Sequence, residues 1–393
     1  MAAAERFSAG SLPDSSAEIW RYSRINELDL DAYRPATVSP DAAGVPEATG
    51  DQAAMVVVQN GRPVRIDVDP ALVAKGLVVA DAADLPDGDE MLGRITVADA
   101  FTEMNTAFLP GVTVVRVPRG MAVDRPIVIV HNLDGDGVAS FSRTIVSAGE
   151  SSDVTIIEHQ SSADVAAFSD PIVELDVAAD ARLRYLNVQD LGPRVFQVGY
   201  QSSRVGRDAT LQSSVVALGG DYARVRTDSR IDGKGGTSYL TAVYFADGAR
   251  MHDFRTIQDH IAPKTTSDLL FKGAVSDTAR SVYSGLIRIS KEARGTKAFQ
   301  TNRNLILSEG AEASSVPNLE IETDDVVCSH ASAVGPIDDE QRYYLESRGI
   351  PPEVAERLIV LGFFSEVLDR LPPSDAVAGL RATLAGRLAA RAG

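Results

Sequence analysis

The sequence contains one cysteine, in the stretch DDVVCSHASAVG, and it stands two positions before one of the five histidines: Cys328 and His330. On a β-strand, residues i and i+2 project from one face, about 6.5–7 Å apart, so a thiolate and an imidazole at this spacing can address one metal ion or cluster. Two ligands do not complete a metal site, and the alternative is a small, buried, unreactive thiol that lies near a histidine by coincidence. Asp324 has the same strand parity and reads either as a further oxygen ligand or as a solvated turn residue. His330 could also act as a base toward Cys328, but no nucleophile turn or oxyanion site accompanies the pair. The other four histidines are expected to be surface or hydrogen-bonded core residues at His131, His159 and His252, with His260 open to either reading.

Other chemistry is missing from the chain. DGKGGTS carries glycines and a lysine at the wrong spacing for a phosphate loop, no GxGxxG opens a helix, and neither CxxC nor HExxH occurs. A net charge of −17 and a pI near 4.8 oppose nonspecific nucleic-acid binding. No run reaches the length of a membrane span, and MAAAERFSAGSLPDSS has no signal-type apolar core. With a single thiol and ordinary hydrophobic (44%) and charged (24%) content, the chain reads as a cytoplasmic globular protein.

The elements that must position Cys328 and His330 are mostly strands. Residues 1–105 read as a partly helical region, with helical spacing of Ile19, Tyr22 and Ile25 around Trp20 and a flexible linker around 36–54. A capped helix is expected to start at Thr96. Residues 106–335 present a succession of short β-rich runs, from VTVVRV through RNLILS, with no long helix between them. An acidic residue precedes Val154, Ala181 and Ala209, which are 27 and 28 residues apart, and DGKGGTSYL repeats the theme. A corner recurring at such a period predicts stacked coils, and hence a parallel β-helix. Residues 336–393 read as helical. Asp338 caps DEQRYYLES, which ends at Gly349, and EVAERLIVLGFFSEVLDRL follows with two apolar stripes. One is Val354, Leu358, Leu361 and Leu368; the other is Val360, Phe364, Val367 and Leu371. Two stripes imply contact on both sides, with the chain's own body on one and, on the other, either a partner or a further segment of the same domain.

Several long segments resemble one family. PNLEIETDDVVCSHASAVGPIDDEQRYYLESRGIPPEVAERLIVLGFFSEVLDRL is similar to the carboxy-terminal signature of the SufB/SufD iron–sulfur cluster assembly proteins. DHIAPKTTSDLLFKGAVSDTARSVYSGLIRI, AFQTNRNLIL and the amino-terminal EIWRYS are similar to it as well. The SufD branch fits better. Where SufB is expected to carry a cluster-building cysteine, QTNRNLIL places Asn302, and where SufB has Glu after the shared histidine this chain has Ala331. The family form usually has Gly there.

The resemblance implies a right-handed parallel β-helix flanked by amino- and carboxy-terminal helical segments, in a complex with SufB and two copies of the ATPase SufC. The missing phosphate loop is then expected, because nucleotide would bind SufC rather than this chain. The implied role is a non-catalytic scaffold. His330 and Cys328 would hold transient iron or a nascent cluster shared with SufB across the last coils. Val354, Leu358, Leu361, Phe364, Val367 and Leu368 would form the docking surface for SufC. A homodimer through the same edge, a SufB-like paralogue and, more remotely, a carbohydrate-active β-helix enzyme are the competing readings.

Overall fold

The computed structural model describes residues 2–36, 52–372 and 375–390; most of the linker read over 36–54 lies outside these. The chain forms two facing sheets of twelve and ten strands. From Asp153–Ser162 onward the long strands alternate between the sheets, and each pairs in parallel with the strand two places later. This is a parallel β-helix.

Each coil cannot satisfy its own strand edges, so it needs the coils above and below it. The stacking is in register: Leu211 lies on Ser238, Ser238 on Ser267, Ser267 on Ala298, and Ala298 on Cys328. The recurring corner is a residue in the left-handed region: Ser151, Asp180, Asp208, Gly235, Lys264 and Gly295, at intervals of about 27 to 31 residues. Gly and Asp tolerate that conformation better than most residues. Along one edge these corners hydrogen-bond in a ladder: the N–H groups of Asp180, Asp208, Gly235, Lys264 and Gly295 donate to the carbonyls of Arg207, Lys234, Pro263, Arg294 and Asp325. The period read from the sequence is therefore real, but its register differs in one place. Val154 stacks on Leu183, whereas the residue level with Ala181 is Ser152.

The lumen is apolar at the amino-terminal end, around Val154, Ile156, Leu183 and Leu211. Further along it is hydrogen-bonded across the sheets, through Gln160–Gln197 (2.7 Å), Gln201–Ser213 (2.9 Å) and Ser229–Ser238 (2.8 Å).

The sheets begin earlier than residue 106. Ala54–Gln59 pairs in parallel with Ile127–Leu133, and Arg62–Val68 folds back antiparallel to it, covering that edge. Val78–Asp81 does the same for Thr113–Val117 in the other sheet. Residues 17–33, expected to be helical, instead form short 3₁₀ turns at Glu18–Trp20, Ile25–Glu27 and Leu30–Ala32. Arginines on the sheet take the carbonyls a helix would use: Arg224 Nη2 donates to the Ile19 carbonyl (2.7 Å) and Arg255 Nη2 to that of Arg21 (2.6 Å). Trp20 stacks under Arg224, at 3.9 Å from guanidinium carbon to ring centre. The helix expected to start at Thr96 spans Ala100–Phe108 and is capped by Asp99 instead. Asp99 Oδ1 accepts from the N–H groups of Phe101 and Thr102, and Thr102 Oγ1 accepts from that of Asp99.

The last strand ends at Pro336, and three helices follow: Asp339–Ser347, Pro352–Leu368 and Asp375–Ala390. Asp338 caps the first, as expected, accepting from the N–H of Glu340 at 2.8 Å. The second and third pack on the outer face of the ten-stranded sheet. Val360, Phe364, Val367, Leu368, Leu380, Leu384 and Leu388 meet Val216, Leu218, Val243, Phe245 and Leu270 there. A buried lysine fixes the helix: Lys272 Nζ donates to the Phe363 carbonyl (3.0 Å) and pairs with Glu366 (2.6 Å). Among the described residues, no helix is long and apolar enough to cross a membrane.

Phe364 is fully buried in this contact. Replacing it with alanine should weaken the attachment of the helical unit by about 3–5 kcal/mol. Hydrogen exchange should then rise across residues 352–390 while strands 210–306 keep their protection.

Candidate metal centre at the open end of the β-helix

The two ends of the β-helix differ. Antiparallel strands cover the amino-terminal end, whereas among the described residues Glu312–Ile321 and Val326–Pro336 each have a ladder partner on one side only. Cys328 and His330 lie on this uncovered last strand. Its start is set by the final rung of the corner ladder, where the Asp325 carbonyl accepts from Gly295 N–H at 2.7 Å.

Register shows which way the pair faces. On Thr296–Ile306 the buried side chains are Thr296, Ala298, Gln300, Asn302 and Asn304, while Lys297 and Arg303 are exposed. Val326, Cys328, His330 and Ser332 sit over the first four of these, so Cys328 and His330 share the lumen side of the last coil. Across from them Ala313, Ser315, Pro317, Leu319 and Ile321 stack on Ser281, Tyr283, Gly285, Ile287 and Ile289. The mouth is therefore rimmed by a thiol, an imidazole and exposed apolar groups, with Leu319 and Ile321 each 40% exposed and Val334 41%.

The two donors have different surroundings. Cys328 is half-buried, packed with Val326 against Ile287, Ile289, Ala293 and Ala298, and burial pushes its thiol up from its ordinary value. It is a protonated, largely apolar group in this chain alone. His330 is exposed on the rim. Asp324 is exposed and lies in the bend before the strand, so strand parity does not apply to it. Among the described residues, no three His, Cys, Asp or Glu side chains converge to hold a metal ion. The pair offers two donors, and a bound ion needs the rest from elsewhere.

The family model for the SUF system FeS cluster assembly, SufBD core domain, matches residues 131–363. This chain belongs to the SufBD family. An iron–sulfur cluster assembly SufBD family protein of Mycobacterium leprae is 38% identical over 92% of this chain and 87% of its own length. A SufBD family protein of Mycobacterium tuberculosis is 37% identical over 72% of this chain and 73% of its own. The iron–sulfur cluster assembly protein SufD of Escherichia coli is 30% identical over 92% of this chain and 85% of its own.

The SufBD match includes the rim residues and most of the helix Pro352–Leu368. On that helix the structure corrects half of the expected docking set. Phe364, Val367 and Leu368 are buried against the sheet and are unavailable to a partner. Two stripes could be seen in the sequence, but periodicity does not say which one meets the body. Leu358 is 46% exposed, Val354 is half-buried, and Leu361 is half-buried against the core cluster. A groove of about 720 Å³ runs beside Leu358 and Ile359, with Tyr344 and Leu345 of the preceding helix on its other wall. Sequence reasoning missed this wall. Its signal was the pair Tyr343 and Tyr344 on an otherwise polar helix; they are 73% and 58% exposed.

Three of the other four histidines of this SufBD protein are hydrogen-bonded within the fold, and His159 is half-buried on its strand. His131 is hydrogen-bonded to the buried Glu158. His252 Nε2 lies 3.1 Å from the Gly219 carbonyl, and His260 sits between Thr265 Oγ1 (2.8 Å) and Ser267 Oγ (2.9 Å). Burial pushes both His252 and His260 down to about 4. The unfolded chain binds these protons near pH 6.5 while the folded chain does not, so stability is complete above pH 6.5 and falls as pH drops toward 4. The expected loss is about 3 kcal/mol per histidine. Urea unfolding at pH 7 and 4.5 measures it. A His252→Gln/His260→Asn double variant should lose clearly less than wild type over that interval.

Proposed function

We propose that this SufBD chain is a SufD-like scaffold subunit that presents His330, with Cys328 beside it, to iron or a nascent iron–sulfur cluster at an interface with SufB. The observation that carries this reading is the uncovered mouth, where two soft-metal donors share one face of an edge strand and lack companions. Iron or cluster is the cargo here. A neutral imidazole and a thiolate are suitable donors for it, and SufB would complete the ligand set. The raised thiol makes His330 the ready ligand and leaves Cys328 to ionise only when a cation or donor approaches. Open parallel strands with exposed Leu319, Ile321 and Val334 suit continuation by a second β-helix, which would satisfy backbone groups and apolar side chains together.

The SufD rather than SufB role is supported by position 302. Asn302 points into the lumen, fully buried, donating to Tyr244 Oη at 3.1 Å and accepting from Asn304 at 2.8 Å. A hydrogen-bonded amide fills the place where the SufB likeness calls for a thiol. The chain contributes no phosphate loop, so ATP hydrolysis falls to SufC, docked on the groove between Asp339–Ser347 and Pro352–Leu368. Movement of SufC would then shift the SufB contact. In this reading the protein itself is cytoplasmic and non-catalytic.

Complexes reconstituted with SufB and SufC test the assignment. His330→Ala should remove most bound iron and cluster formation, with Cys328→Ser having the smaller effect; unchanged iron loading in His330→Ala sinks the ligand role. Leu319→Lys should weaken pairing with SufB, and with a second copy of this chain, by about 2–3 kcal/mol, read as a roughly 30- to 150-fold rise in Kd. Leu358→Asp should weaken SufC capture to a similar extent while leaving the thermal unfolding of the β-helix unchanged. Retained capture would move the docking site elsewhere.

A further inference from the structure

Directly beneath His330, one coil down, stands Gln300. Gln300 is 1% exposed, and neither its amide nitrogen nor its amide oxygen has a hydrogen-bond partner. Buried amides are normally satisfied, so this one is a group built for a partner that the resting arrangement does not provide. The opposite wall offers none. Gly285 faces it, and a Cβ at that position would fall 2.6 Å from Gln300 Nε2 and 2.1 Å from Tyr283 Oη. Glycine there leaves the room that the amide occupies. The Tyr283 hydroxyl is already engaged with Thr256 Oγ1 at 3.0 Å. Further along the same strand, Asn302 and Asn304 are bonded to Tyr244 and to each other. Toward the mouth, the side chain stacked on Gln300 is the imidazole of His330.

We propose that Gln300 is a positioning residue for His330: its amide oxygen accepts one ring N–H and leaves the other ring nitrogen bare, directed out of the mouth toward iron. Stacked strands lie about 4.8 Å apart, so rotation of the exposed imidazole brings a ring N–H onto the amide below. A histidine ligand is ordinarily oriented by an acceptor on its other nitrogen. A neutral amide does this without adding charge beside the cargo. The inference rests on the reading of His330 as an iron ligand, and goes beyond it by naming the group that fixes its tautomer.

The test uses the full chain labelled at the histidine ring nitrogens. Two-bond proton–nitrogen correlation spectra are recorded with the His330 signal assigned by its loss in His330→Ala. Wild type should show one dominant tautomer, Gln300→Leu a mixture of both, and Gln300→Glu a single tautomer again. In complexes with SufB and SufC, Gln300→Leu should reduce ferrous-iron affinity 10- to 100-fold, and Gln300→Glu should recover most of it. A merely structural role predicts the reverse pattern, a lowered melting temperature in Gln300→Leu with no change in tautomer. An unchanged tautomer ratio in Gln300→Leu overturns the proposal, and so does unchanged iron affinity where His330→Ala has lost it. Unchanged iron in His330→Ala overturns the parent reading instead, and the tautomer ratio then judges Gln300 by itself.

Discussion

The structure depends on one constraint: a parallel coil leaves a full row of backbone donors and acceptors on each edge, and only another coil in register can satisfy them. Every repeated feature follows from it. The left-handed corners from Ser151 to Gly295 let the chain turn without losing register, and their N–H groups extend the ladder through the turns. Because the coils stack in register, each column holds equivalent positions while its character changes along the lumen, as from Leu211 through Ser238 and Ser267 to Ala298 and Cys328. The same constraint gives a β-helix two ends that must be dealt with. Antiparallel strands close one. The other stops at Val326–Pro336, and Cys328 and His330 stand there.

This placement accounts for the chemistry of the pair. A thiol inside the stack would be an inert core group, and a histidine on a central strand would be bonded away, as His252 and His260 are. On the last coil, Cys328 keeps apolar neighbours below it and an open side above. His330 has an unpartnered amide beneath and solvent above. The open sheet edge and the two donor side chains therefore lie together at one end of the molecule.

Membership of the SufBD family agrees with this architecture, and the carboxy-terminal helices pack away from the open end, on the outer face of the ten-stranded sheet. Phe364, Val367 and Leu368 hold the helix to the outer face of the ten-stranded sheet, aided by Lys272. Leu358, Ile359 and Tyr344 remain around a groove on the other side.

The amino-acid sequence by itself determined the β-helix, through the spacing of its Asp and Gly corners, and the Cys-x-His pair, through strand parity. Both are local properties of residue type and period. It also determined the Asp338 cap, because a cap depends on neighbours two and three residues away. Only the tertiary structure decided the rest. The segment 17–33 has helical spacing, yet Arg224 and Arg255, far along the chain, take its carbonyls. Which apolar stripe of Pro352–Leu368 faces inward depended on Leu218, Phe245 and Leu270 being there to meet it. That Gln300 lies under His330 opposite Gly285 is a matter of register between coils about 30 residues apart. Periodicity records which faces a segment has; what each face meets is fixed by pairings distant in sequence.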